Sequence, residues 1–166
     1  MASYIKSKVQ QSLSFLLVLV IAFSVFSGVL FLNPSPSHAY NKSDFNRALS
    51  GDKDLIGADL IEANLSGAYL NKADLGGAYL NKANLRGTNL AEAYLSWVDL
   101  RGADLRDADL REAYLNKADL READLREADL TEADLTEADL TEAIANSETK
   151  FPEGFDAVGA GVRFLN

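Results

Sequence analysis

Carboxylates are the most abundant reactive groups in this sequence. Twenty-five Asp and Glu stand against sixteen Lys and Arg, a net charge of −9. Carboxylates in quantity can do general acid–base chemistry or bind a hard cation. The partners that other chemistries need are scarce. There is no cysteine, and His38 is the single histidine. Ser-His-Asp and Cys-His nucleophilic machinery therefore has little to draw on, and zinc and haem lack their usual ligands. No G-x-x-x-x-G-K-[ST] loop offers a phosphate cradle. A general acid also needs a carboxyl raised in pKa by a pocket. The sequence predicts no enzyme and no cofactor. Its acidity argues against nucleic acid and anionic membrane surfaces as partners.

Histidine is lost altogether if the N-terminus is processed. "MASYIKSKVQQ" carries Lys6 and Lys8, and an apolar run follows from Leu13 to Leu32. "NPSPSHAY" then places Ser37 and Ala39 at the −3 and −1 positions of a cleavage site. This is the order of an export signal over 1–39, cleaved after Ala39. The run is also long enough to span a bilayer, so an uncleaved anchor is the alternative. Any membrane contact is expected through this segment alone. No twin arginine is present, which favours a Sec-type route. Cleavage removes two lysines and no acid, so the charge becomes −11 and His38 departs.

The elements that must position the carboxylates follow from a five-residue repeat. Leucine occupies every fifth position from Leu55 to Leu140, eighteen times. Alanine sits two residues earlier from Ala58 to Ala138, except at Thr88 and Val98, and Asp, Asn or Tyr lies between. Ala, Glu, Leu and Arg favour helix. Yet leucines five apart advance about 140° net around a helix and form no stripe. In a strand, Ala and Leu share a face, but an odd repeat throws the next pair to the opposite face. The chain must turn after each leucine, and "SG", "GG", "RG" and "NK" suit such corners. Burying a leucine contributes about 1.5–3 kcal/mol, against a few tenths of helix propensity per residue. The pattern predicts a coil with Ala and Leu inside.

The run from "GADLIEANLSGAYLNKADL" to "TEADL" closely resembles the pentapeptide-repeat family. That resemblance implies an all-β solenoid, a right-handed quadrilateral β-helix with four repeats per coil. Eighteen repeats would then make a rod of roughly 22 Å at about 4.8 Å per coil. A solenoid needs covered ends. Residues 40–50 read as an N-terminal capping helix, with Ser43 as N-cap and Phe45 and Leu49 on one side. The β-helix is expected over 51–145. Residues 146–166 carry Phe151, Phe155, Val158, Val162 and Phe164 and should cap the last coil. They also offer a surface for an end-to-end homodimer.

With twenty residues per coil, Asp99, Asp119 and Asp139 share a column, as do Asp109 with Asp129 and Asp104 with Asp124. Such columns suggest a calcium-binding wall. The interleaved Arg101, Arg106, Arg111, Arg121 and Arg126 favour a charge-balanced, solvated face instead. The family resemblance adds a second alternative, a DNA-mimic inhibitor of a type II topoisomerase. The export signal, short rod and interleaved bases weigh against it. The repeat falters at "GTNLAEAYLSWVDL", where Val98 replaces the inward alanine and Trp97 takes a corner. Tyr94 then lies one coil below Tyr114, and Trp97 one coil below Lys117. Tyr94, Trp97, Tyr114 and Lys117 form the candidate patch for an unknown protein partner. The preferred reading is an exported, non-enzymatic protein-binding or scaffold module. The end segments resemble those of exported cyanobacterial and plastid members of the family, which implies the thylakoid lumen, with the periplasm second.

Overall fold

Every one of the eighteen repeat leucines is buried in the structure, a computed structural model that describes residues 39–165. The export segment lies outside the described residues, apart from Ala39, which is exposed. The inward alanines are buried as well, except Ala138, which is half-buried. The residue between each Ala and Leu bridges in parallel to the residue twenty positions on, from Asp54↔Asp74 to Asp124↔Ile144. Four corners therefore close each coil, and four walls rise along it. Wall 1 carries residues 54, 74, 94, 114 and 134; wall 2 carries 59, 79, 99, 119 and 139; wall 3 carries 64, 84, 104, 124 and 144; wall 4 carries 69, 89, 109, 129 and 150.

The five N–H groups of an interior repeat can be followed one by one. Leu105 N–H donates to the Asp124 carbonyl at 2.8 Å and Asp104 N–H to Ala83 at 2.9 Å. Asp107 N–H donates to the Arg126 carbonyl at 3.2 Å. Ala108 N–H closes the corner on Leu105 at 3.1 Å. The fifth, Arg106 N–H, donates to the Asp104 carboxylate at 3.2 Å. Three bonds join coils and two stay within the repeat. Burial without such partners would cost about 1–3 kcal/mol per group. The outward Asp or Asn is thus part of the corner, forming an Asx-type turn. Where tyrosine takes that place, no side-chain acceptor is available.

The second residue of every corner from 57 to 142 has positive φ, near +60°. That is the signature of type II turns, which favour glycine. Only five of these corners have it, while thirteen hold Glu, Lys, Asp or Trp. Glu, Lys, Asp and Trp carry no sequence signal for left-handed backbone, so these strained corners are visible only in the structure. Left-handed backbone costs a non-glycine residue roughly 1–2 kcal/mol, and the coil's hydrogen bonds and leucine core outweigh it.

The ends depart from the repeat. Helix α1, Lys42–Ser50, covers the first coil. Its N-cap is Asn41 rather than Ser43, because the Asn41 side chain accepts from Ser43 N–H at 2.8 Å. Leu49 is exposed instead of packed; Ala48 is the buried helix residue, with Phe45 half-buried beside Tyr40. Asp44 supplies the acceptor that a preceding coil would have given Asp59 N–H, at 3.1 Å. At the other end the register runs on past Ala145. A one-residue-longer corner follows, and Lys150 bridges to Asp129. There the Asn146 side chain accepts from Glu127 N–H at 3.0 Å, in place of a main-chain carbonyl. Thr149 repeats a device seen at Thr88: both occupy the inward alanine position, and each hydroxyl donates to a leucine carbonyl at 2.9 Å, Leu125 and Leu65 respectively. Strand β1, Ile144–Ala145, pairs in parallel with β2, Arg163–Phe164. Phe151 and Phe155 stack at 5.5 Å against the last core residues.

Leu110→Ala should lower unfolding free energy by about 2–5 kcal/mol, read by urea denaturation. A Cβ at Gly67 would meet nothing within 4 Å, yet φ there is +67°. Gly67→Val should therefore cost about 1 kcal/mol through backbone strain alone.

Candidate partner-binding site

The four patch residues meet as two pairs on neighbouring columns. Tyr94 and Tyr114 sit one above the other on wall 1, both exposed. Their rings stack with centroids 5.0 Å apart and planes within 4°. Parallel β-stacking sets that spacing directly, since coils rise by about 4.8 Å. Trp97 takes the second corner position after wall 1, at φ +61° and 65% exposed. Lys117 occupies the same corner one coil on, and its Nζ lies 4.6 Å from the Trp97 ring centroid. This is a cation–π pair. Glu137, a further coil up, approaches the same Nζ at 3.9 Å. Below Trp97 in the same corner, a Cβ at Gly77 would meet nothing within 4 Å. Val98 fills the inward place and is buried.

Two further exposed side chains extend this edge. Ile56 precedes Gly57 in the same corner two coils below Trp97, and Tyr79 stands on wall 2 one coil below Asp99. The twenty-residue step applied to every apolar residue, rather than to the faltering repeat alone, would have found both.

The remaining walls are built from charge. On wall 2, Arg101 grips Asp99 through two bonds of 2.8 and 2.6 Å and reaches Asp119 at 3.5 Å. Arg121 repeats this with Asp119 and approaches Asp139 at 3.6 Å. On wall 3, Arg106 holds Asp104 and Arg126 holds Asp124 in the same two-pronged way. On wall 4, Arg111 holds Asp109, and Lys150 meets Asp129 at 2.9 Å. These carboxylates are occupied by guanidinium and ammonium groups. Among the described residues, no cluster of His, Cys, Asp or Glu is placed to hold a metal ion.

The model for pentapeptide repeats matches eight copies over residues 41–77, 54–87, 68–107 and 108–144. The chain belongs to the pentapeptide repeat family. Among solved structures it is similar to a pentapeptide repeat protein from Nostoc PCC 7120. The two are 35% identical over 79% of this chain and 100% of that one, with a TM-score of 0.43. It is also similar to a pentapeptide repeat protein from the Arabidopsis thaliana thylakoid lumen. There the identity is 28% over 69% of this chain and 74% of that one, with a TM-score of 0.46. No curated protein matches. Family membership implies a right-handed quadrilateral β-helix, in keeping with the twenty-residue coil. Pentapeptide repeat proteins are generally structural or protein-interacting rather than catalytic.

The pentapeptide ladders also set the acid response. The Arg hydrogen bonds hold Asp99, Asp104, Asp109 and Asp119 below the ordinary carboxylate range. Burial alone would raise Asp129, but hydrogen bonds from Thr131 and Lys150 overturn it and hold the group at about 2. A depressed folded-state pKa means that the unfolded chain takes up protons first as pH falls. The stabilisation is complete above the ordinary carboxylate pKa of about 4 and is lost as pH drops towards about 2. Glu127 runs the other way. Its hydrogen bond and repulsion with Asp107 raise its pKa, so its charged form opposes folding at neutral pH. The urea midpoint should fall steadily from pH 5 to pH 2. At pH 7, Glu127→Gln should raise that midpoint.

Proposed function

We propose that this pentapeptide repeat protein is an exported, non-enzymatic binding or scaffold module whose rigid coil presents wall 1 to a protein partner. The observation that carries this reading is the exposed Tyr94–Tyr114 stack beside Trp97 and Lys117. Large aromatic side chains with a neighbouring cation are the residue types that dominate protein–protein hot spots. Here they stand on a backbone whose inter-coil N–H groups are bonded, so little ordering entropy opposes association. Export rests on the sequence before Tyr40, and the thylakoid lumen is the compartment we assign. The Arg–Asp ladders weigh against the DNA-mimic and calcium readings, since both need carboxylates free of internal cations.

Fractionation tests the compartment. The expected product begins at Tyr40 by N-terminal sequencing and is found in the lumen. An unprocessed cytoplasmic protein would contradict export and revive the topoisomerase reading. Affinity capture from the same fraction, comparing wild type with Trp97→Ala and Tyr114→Ala, tests the wall. The partner should be lost with either variant. Equal recovery of every bound protein by all three would remove wall 1 from the account.

The C-terminal segment suggests a second contact. Val158, Phe164 and Leu165 are exposed there, beside the outer edge of β2. An end-to-end homodimer would cover them. Sedimentation should show a dimer that Phe164→Glu converts to monomer.

A further inference from the structure

Wall 1 differs from its neighbours in one respect beyond its tyrosines. Of the outward aspartates from Asp99 to Asp139, each on walls 2, 3 and 4 has an arginine or lysine within 4 Å. Asp134, on wall 1 directly above Tyr114, has none among the described residues; its carboxylate accepts from Thr136, through the N–H at 3.0 Å and the side-chain hydroxyl. Glu112 and Glu132 stand at the corner leading into wall 1, two residues before Tyr114 and Asp134. Both are exposed, and neither has an ion pair among the described residues. The adjacent corner shows the same order of groups with the cation present: Trp97, then Lys117, then Glu137. Wall 1 reads Tyr94, Tyr114, Asp134, an aromatic platform followed by a carboxylate with nothing between to balance it.

Resting on the reading of wall 1 as the partner surface, we infer that its occupant is a basic segment of a protein, an arginine or lysine side chain lying over Tyr114 and reaching Asp134. Charge complementarity selects this occupant. From residue 99 to residue 148 there are sixteen acids against six bases, and the ladders of walls 2 to 4 use the arginines. A guanidinium stacks on an aromatic face and bonds a carboxylate in two places, so arginine fits better than lysine. An acidic or neutral segment would leave Asp134 and Glu132 facing it without compensation.

The test uses the processed chain from Tyr40 and four synthetic nine-residue peptides: alternating Arg-Gly, Lys-Gly, Glu-Gly, and a neutral proline-rich sequence. Trp97 is the only tryptophan, so its fluorescence reports binding beside wall 1, and calorimetry gives the affinity. The arginine peptide should bind best and the glutamate peptide not at all. Tyr114→Ala should weaken it about tenfold, the equivalent of about 1.4 kcal/mol, and Asp134→Asn, which leaves both rings in place, by a comparable factor. Glu127→Gln, on the diagonally opposite corner, removes one negative charge and should leave the affinity unchanged. If Asp134→Asn and Glu127→Gln weaken the peptide equally, attraction is to the rod's net charge and the inference fails. If the proline-rich peptide binds and loses affinity with Tyr114→Ala while the arginine peptide does not bind, wall 1 survives as a site but its basic occupant does not. If no peptide binds, the basic occupant is again excluded, while affinity capture decides wall 1 by itself.

Discussion

The repeat domain depends on one spacing. Leucines five residues apart cannot share a face of a helix or of a continuous strand. They can all be buried only if the chain turns after each one. Four such turns return it to its starting direction, and the twenty-residue bridge register follows. Once that register exists, each coil supplies the hydrogen-bond partners of the next. The structure is then quasi-one-dimensional, with neighbours along the axis supplying nearly all the contacts. Helix-forming residues such as those of "READLREADL" remain helix formers. Their propensity is outweighed by leucine burial repeated at every step.

The outward positions have more to do than keep the rod soluble. From Asp59 onward, each outward Asp or Asn closes its own corner by accepting a main-chain N–H, and Arg101, Arg106, Arg111, Arg121 and Arg126 each grip the aspartate two residues before them. Structure and charge balance are thus coupled in the same side chain. Tyrosine at an outward position gives up the corner bond. Such a substitution needs a reason elsewhere, and on wall 1 the two tyrosines stack on each other. The irregular positions are where the coil exchanges local stability for a surface.

Much of this was legible in the residues. The buried Ala–Leu pairs, the outward columns and the meeting of Trp97 with Lys117 all follow from counting in fives and twenties. The N-cap was misplaced because Ser43 and Asn41 are equally good capping residues by type; only the path of Tyr40 and Asn41 onto the first coil decides between them. Leu49 was expected inward because helical spacing pairs it with Phe45, whereas the helix rests on Ala48. The positive φ at thirteen non-glycine corners was hidden because Glu and Lys carry no signature of left-handed backbone. Asn146 and Thr149 look like a broken repeat in sequence. In space they continue it, with side chains substituting for main-chain groups.

The central claim is that leucine burial overrides helix propensity and fixes a twenty-residue register. Through-hydrogen-bond NMR couplings on isotope-labelled protein test it at single bonds. The Leu105 amide should couple to the Asp124 carbonyl, nineteen residues ahead. Coupling of that amide to the Arg101 carbonyl, four residues back, would show a helix and contradict the account.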